Sequence, residues 1–224
     1  MINKLDYPKI TTDAEKAMTV LFDFDGTLAN SIDIGLDAYN EIAAKHGALP
    51  VTRADLDILR TMTYKQGMKL KHIRVSRLPA MAIAVSKIMK SRMHDARPYD
   101  DIVPVLKNLV KTCQIGIITS NSEDVVRAFL LSNDFPEFLF VWSEKHIFGK
   151  DKTIKKAIKR YKLDTNTTIY VGDEPRDVVA ARKSGIRVIG VTWGLGGEIG
   201  IEKSSPDYIA KNPQELLEIA KGMI

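Results

Sequence analysis

Two aspartates, Asp23 and Asp25, stand two residues apart where an apolar run ends, and two more, Asp173 and Asp177, follow another such run far along the chain. On an extended strand, residues i and i+2 point to the same side, so Asp23 and Asp25 can share a face. Four carboxylates brought into one crevice repel one another, and something cationic must offset them. An oxygen-only donor set favours a hard ion such as Mg²⁺, which keeps several waters and prefers phosphate oxygens. A lysine and a hydroxyl nearby would complete a phosphate site, and Lys150 and Thr119 are the candidates. Each residue also has a plainer reading. Asp25-Gly26 alone reads as a turn, Thr119 and Ser120 can cap an element, and Asp177 suits the acidic first turn of a helix.

The elements that must position these residues follow from periodicity. The run 17–22 reads as a short buried strand, stopped by Asp23-Phe24-Asp25-Gly26-Thr27. Ser31 is placed to cap the next helix, whose apolar face is Ile34, Ala38, Ile42 and Ala43, closed by Gly47. Residues 52–93 are predominantly helical, with Thr52 and Asp55 as a capping pair and Pro79 as a break between helices. Segment 32–97 is therefore expected to be an all-helical module. Beyond it, strands over 115–118, 138–142, 168–171, 187–192 and 207–210 alternate with helices over 103–110, 122–131, 152–161 and 177–184, and Pro213 opens a terminal helix. Such alternation predicts an α/β fold with a doubly wound parallel sheet. Ligands of such sheets bind beyond the carboxyl ends of the strands. Asp23, Thr119 and Asp173 each occupy such an end, so they are expected to converge.

A chain of 224 residues with 45% hydrophobic and 27% charged residues suits one core domain carrying a smaller insert. A single cysteine, Cys113, excludes an intramolecular disulfide and a cysteine-based zinc site, and reads as a buried small hydrophobe. The four histidines (His46, His72, His94, His146) show no metal-ligand spacing, and Trp142 and Trp193 read as core residues. The polar N-terminal stretch lacks the apolar core of a secretory signal, and no run is long enough to span a bilayer, so a cytoplasmic location and no membrane partner are expected.

The net charge of +5 is unevenly spread. Between Ile58 and His94 there are nine Lys and Arg residues and no acid, which leaves −4 for the remainder. A basic surface of this kind can draw in an anionic substrate. Nucleic acid is not the expected partner: the segment holds one tyrosine, Tyr64, no Phe or Trp, and no recognisable nucleic-acid-binding motif.

Taken together, these motifs resemble the haloacid dehalogenase superfamily of phosphatases. The matching stretches are Asp23-Phe24-Asp25-Gly26-Thr27-Leu28, Ile117-Ile118-Thr119-Ser120-Asn121, Lys150 within Phe148-Gly149-Lys150-Asp151-Lys152, and Gly172-Asp173-Glu174-Pro175-Arg176-Asp177. Their order covers nearly the whole chain after residue 17. The inserted helices resemble the small cap of the phosphoglycolate-phosphatase-like branch, which implies a core of 1–31 and 98–224 and a cap of 32–97. The resemblance implies that Asp23 attacks the phosphoryl group to give an aspartyl-phosphate. Asp25 then acts as acid and base, while Thr119, Ser120 and Lys150 hold the phosphate. It further implies that Mg²⁺ is bound by Asp23, Asp173 and the main-chain oxygen of Asp25, with Asp177 acting through water or Lys150. Positioning and charge stabilisation are most of what phosphoryl transfer requires.

The proline usual after the motif lysine is absent, and Lys152 lies two residues on; Lys150 is preferred because it precedes the helix start while Lys152 opens it. Within the family, Asp25 argues against a dehalogenase, which typically lacks this second acid. Thr27 argues against the sugar phosphomutase branch, which usually has valine there. A non-catalytic binding protein on this scaffold need not keep both Asp23 and Asp25. The expected substrate is a small phosphomonoester with extra negative charge, such as a phosphorylated carboxylic acid, with phosphoglycolate as the default. The sequence carries no signal of oligomeric state.

Overall fold

In the computed structural model, residues 18–143 and 149–223 are described. The apolar pentapeptide Met18–Phe22 forms β1, buried along its whole length. A two-residue strand β2 (Ala29–Asn30) follows, then α1 (Ile32–Ala43), α2 (Arg53–Arg60), α3 (Tyr64–Leu70) and α4 (Leu78–Arg92). The chain returns through β3 (Arg97–Pro98), which pairs antiparallel with β2. Then come α5 (Ile102–Leu109), β4 (Cys113–Thr119), α6 (Glu123–Ser132), β5 (Phe140–Ser143), α7 (Lys150–Tyr161), β6 (Thr168–Gly172), α8 (Pro175–Lys183), β7 (Arg187–Val191), α9 (Gly197–Ser204), β8 (Tyr208–Ala210) and α10 (Pro213–Lys221).

Six strands form one parallel sheet in the order β5-β4-β1-β6-β7-β8. The chain runs outward from β1 to β4 and β5, then crosses back to β6 on the other side, so the switch point lies at β1. Phe22 stands opposite Ile117 of β4 and Val171 of β6, which levels the carboxyl ends of the three strands. Side chains alternate across the sheet. Val20, Phe22, Ile115 and Ile117 enter one core with α5, α6 and α10, while Leu21, Ile118, Tyr170 and Val188 enter the other with α7 and α8. Phe22 is fully buried. Truncating such a residue to alanine typically costs about 3–5 kcal/mol.

The four helices between β2 and β3 have apolar clusters of their own. Ile42, Ala43, Ala48 and Met81 form one, and Ile32, Val51 and Leu56 another. Reciprocal capping boxes start α2 (Thr52 with Asp55) and α3 (Thr63 with Gln66). Pro79 does separate helices, and it does so from inside the first turn of α4, where its missing N–H costs nothing.

The sequence reading needs several corrections. Ser31 precedes α1 but makes no capping hydrogen bond. Helix α7 starts at Lys150, because Gly149 takes a left-handed conformation (φ 101°) and its carbonyl accepts the Lys152 N–H at 2.9 Å. Helix α8 starts at Pro175 rather than at Asp177, and β4 extends two residues further toward the N-terminus, to include a buried Cys113. Helix α9 has no counterpart in the sequence reading. Ala17, the N-terminal polar stretch, His146 and Phe148 lie outside the described residues. Among the described residues, no helix is long and apolar enough to cross a membrane.

Candidate active site

Asp23 is the first residue past β1. Its N–H donates to the Val171 carbonyl at 2.8 Å, which fixes the backbone against β6. Its Oδ1 accepts the Phe24 N–H at 2.8 Å and its Oδ2 accepts Lys150 Nζ at 2.6 Å. Lys150, in the first turn of α7, also bridges to Asp177 Oδ1. The other oxygen of Asp177 accepts the Glu174 N–H at 3.0 Å and so caps α8. Burial works against the Lys150 ammonium, but the Asp177 and Asp23 carboxylates outweigh it and hold its pKa well above the usual range. Burial raises the Asp23 pKa, and Lys150 opposes that rise.

Asp25 accepts a hydrogen bond at Oδ2 from Asn121 Nδ2, at 2.7 Å. Its pKa is pushed up to about 6, first by burial and then by the negative charge of Asp23, with Ser31 and Asn121 pulling the other way. A carboxyl of this kind can exchange a proton near neutral pH. Thr119 ends β4 with its hydroxyl buried and accepting the Asn121 N–H at 3.0 Å; Ser120 beside it is exposed.

Asp173 follows β6. It accepts the Thr27 hydroxyl at 2.9 Å on Oδ1 and the Leu195 N–H at 2.8 Å on Oδ2. Burial, and then the charges of Glu174, Asp177 and Asp23, raise its pKa well above the carboxylate range. Gly26, at φ 78°, passes so close to the Asp173 carboxylate that a Cβ there would overlap it.

Asp23, Asp173 and Asp177 each offer a carboxylate oxygen, and these oxygens lie within 4.8 Å of one another. Asp23, Asp173 and Asp177 crowd around the ammonium of Lys150, and the raised pKa of Asp23 and Asp173 shows how costly it is to keep all of them ionised there without a further cation. The donor set is all oxygen, so this cluster can hold a hard divalent cation. The sequence reading joined the main-chain oxygen of Asp25, not its carboxyl, to Asp23 and Asp173 for the metal. The Asp25 carboxyl turns to Asn121.

Asp23, Asp25, Thr119, Ser120, Lys150 and Asp173 all line one cavity of about 410 Å³. Residues 20–191 match the haloacid dehalogenase-like hydrolase family. This chain belongs to that family.

Among curated relatives, it is 27% identical over 205 residues to a phosphoglycolate phosphatase of Synechococcus elongatus, covering 89% of this chain and 95% of the relative. It is 24% identical over 212 residues to the pyrophosphatase PpaX of Bacillus mycoides, covering 91% and 97%. Among solved structures, a haloacid dehalogenase-like hydrolase of Streptococcus pneumoniae superposes with a TM-score of 0.71 at 22% identity, covering 91% of this chain and 98% of that one. At that identity the likeness speaks for the fold.

Three members of the site were missed when the haloacid dehalogenase motifs were read from sequence alone. Asn121 was quoted in its motif without a task, yet it holds Asp25. Thr27 was used only to separate branches, yet it anchors Asp173. Leu195 acts through its main chain, which no side-chain motif can signal. The basic segment also differs from expectation. None of its nine cations lines the cavity. Lys71 is buried, paired with Asp55 at 2.8 Å and donating to the Pro50 carbonyl at 3.0 Å. Arg60 donates to the carbonyls of Leu195 and Gly194, each at 2.9 Å.

Proposed function

We propose that this protein is a Mg²⁺-dependent phosphatase that hydrolyses a small phosphomonoester through an aspartyl-phosphate on Asp23. The observation that carries the reading is the pairing of Asp23 with Lys150 at the floor of the cavity, beside a second carboxyl, Asp25, held ready by Asn121. Asp23 would attack the phosphorus and displace the leaving oxygen. Asp25, with a pKa raised to about 6, would give that oxygen its proton and later take one from the water that cleaves the acyl phosphate. Thr119 and Ser120 would hold phosphoryl oxygens at the carboxyl end of β4. Lys150 would offset the charge gathering on Asp23 and the phosphoryl group.

The convergence of the carboxyl groups, their burial and their all-oxygen donors fit Mg²⁺. Asp23 and Asp173 would hold the ion, with the Asp25 main-chain oxygen, and Asp177 would act behind them through Lys150. Bound there, the ion would neutralise phosphoryl oxygens and orient them toward Asp23. Segment 32–97 would act as a cap over the core of 1–31 and 98–224; its own apolar clusters and the β2–β3 ribbon at its base support that division. A buried Cys113 that is the one cysteine of the chain fits a cytoplasmic setting.

The test is turnover of 4-nitrophenyl phosphate with and without Mg²⁺, in the wild type and in Asp23→Asn. Metal-dependent release of phosphate that disappears in the variant is expected. Full activity in Asp23→Asn would remove the covalent reading. A sugar phosphomutase would instead return an isomerised sugar phosphate with no free phosphate.

A further inference from the structure

We infer that the leaving-group side of the cavity is built for a neutral apolar organic group, so that the preferred substrate is the phosphate ester of an aromatic or branched apolar alcohol. This rests on the reading of Asp23 as the nucleophile, and it departs from the expectation of a substrate carrying a second anion.

The cavity has two chemically distinct parts. Its floor is polar, made by the residues at the strand ends. Its wall, contributed by the helical segment, is Ile32, Leu36, Tyr39, Val51, Val85 and Met89. The one polar atom among these side chains, the Tyr39 hydroxyl, is already donated to the Leu49 carbonyl at 2.8 Å. A sugar's hydroxyls would lose water against this wall and gain little in return.

A carboxylate or second phosphate would fare worse. Of the nine cations in the basic segment, none reaches the cavity lining. Arg60 is engaged by main-chain carbonyls, Lys71 by Asp55 and Arg92 by Glu41. Lys65, Lys69, Arg74, Arg77 and Lys87 are solvent-exposed. Among the described residues, two cations do line the cavity, and each already pairs with a carboxylate. Lys150 lies between Asp23 and Asp177, and Arg176 is bonded to Glu174. Among the described residues that line the cavity, a second anion would therefore meet apolar side chains and no cation without a carboxylate partner, a costly burial. An apolar ring or branched chain gains in the same place by leaving water. The volume of about 410 Å³ falls in the range of small-molecule pockets and leaves space beyond a phosphoryl group.

The experiment compares esters of matched reactivity, so that leaving-group chemistry does not decide the outcome. Benzyl phosphate and phosphoglycolate, both alkyl phosphates, are the matched pair; glucose 6-phosphate, a third alkyl ester, and pyrophosphate, an anhydride, extend the panel. The wild type is expected to give kcat/KM for benzyl phosphate at least about tenfold above each of the others, the scale of burying a modest apolar surface. Val85→Lys, which brings a cation to the wall, should narrow or reverse the ratio of benzyl phosphate to phosphoglycolate; its melting curve reports whether it folds. If the wild type turns over phosphoglycolate, pyrophosphate or the sugar phosphate as well as benzyl phosphate or better, the inference is overturned and the phosphatase reading stands. If no ester in the panel, 4-nitrophenyl phosphate included, yields phosphate, the phosphatase reading fails and the inference falls with it.

Discussion

Arg60 on α2 grips the carbonyl of Leu195, whose own N–H holds Asp173, so one side chain of the helical segment is two hydrogen bonds from a carboxylate of the candidate metal cluster. The guanidinium also reaches the Gly194 carbonyl, and Lys203 of α9 donates to Thr61 at 2.9 Å alongside it. Docking of the helices onto the core and placement of Asp173 are therefore mechanically linked. Arg60→Ala should lower kcat/KM by about tenfold, the usual scale for losing a charged hydrogen bond. The loss should appear together with weaker metal affinity, read as a higher Mg²⁺ concentration for half-maximal rate. Arg60→Lys, which keeps the charge but not the fork, should recover only part of it. Unchanged metal dependence in Arg60→Ala would break the link.

Lys150 and Lys152 can be told apart in one experiment. Lys150 joins Asp23 to Asp177, whereas Lys152, two residues on and so about 200° around the helix, is exposed. Lys150→Met leaves buried Asp177 without its cation, which typically costs about 3–5 kcal/mol of stability. It should also lower kcat by about a thousandfold or more, on the scale of an electrostatic contact made to the reacting group. Lys152→Ala should stay within about twofold of the wild type in rate and within about 0.5 kcal/mol in stability. Denaturant titration and steady-state kinetics on both variants read the outcome.

These contrasts indicate which parts of the site sequence can reveal. Asp23, Thr119 and Asp173 were legible because each stops an apolar run, and a parallel sheet brings its carboxyl ends together. Lys150 was legible from its motif, although the argument that it precedes the helix was wrong: Gly149 is the cap and Lys150 already belongs to α7. Arg60 pairs locally with Asp57, but its two contacts to the core were hidden because they go to carbonyls 134 and 135 residues away, and main-chain acceptors leave no trace in residue types. Helix α9 escaped because Gly194, Gly196, Gly197 and Gly200 read as a loop, and only packing against Pro175 and Arg60 reveals a helix there. In the sequence Lys71 is one of nine cations without a visible partner, because Asp55, the acid that meets it, also fits the cap of α2.

Lys71 consequently carries a prediction of its own. The Lys71 ammonium, ahead of the Thr52 contacts, holds the Asp55 pKa at about 2. A depressed folded-state value means that the pair stabilises the fold above the unfolded aspartate pKa of about 3.9, and that this stability is lost as pH falls through about 2. Lys71→Met should therefore lower the melting temperature near neutral pH, and the difference from wild type should shrink between about pH 4 and 2. KM for a phosphomonoester should hardly move, because Lys71 does not line the cavity. A large KM change with an unaltered melting temperature would return Lys71 to the role of an attracting charge.

Asp25 should reveal its task through the leaving group. If it protonates the departing oxygen, Asp25→Asn must hurt poor leaving groups most. The expected loss in kcat is about 10²–10⁴-fold for an alkyl phosphate. It should be distinctly smaller for the first step of 4-nitrophenyl phosphate, whose phenolate departs without a proton. The second step still needs a base to take a proton from water. The variant should then accumulate phosphate on Asp23, seen as a burst of 4-nitrophenolate and as label retained after acid quenching. Equal losses for both esters, with no burst, would assign Asp25 to positioning. Asn121→Ala should show a milder version of the same pattern, because it removes the amide that orients Asp25 at 2.7 Å.

Metal removal tests the carboxylate cluster by a readout independent of turnover. Buried Asp23, Asp173 and Asp177 gather around Lys150, and burial with mutual repulsion makes them costly to keep ionised together in the metal-free protein. Adding Mg²⁺ should raise the melting temperature, and a ligand at a hundred times its dissociation constant contributes about 2.7 kcal/mol. EDTA should reverse the gain and abolish phosphate release. Asp173→Asn replaces a carboxyl whose ionisation burial and its acidic neighbours oppose, with two consequences of opposite sign. The variant should be as stable as wild type or more so without metal, because its like-charge repulsion is relieved. It should also lose most of the stabilisation by Mg²⁺, because a ligand is gone. Thermal melts of the two proteins with EDTA and with saturating Mg²⁺ decide the matter. An Asp173→Asn variant stabilised by Mg²⁺ as strongly as wild type would show that the ion binds elsewhere.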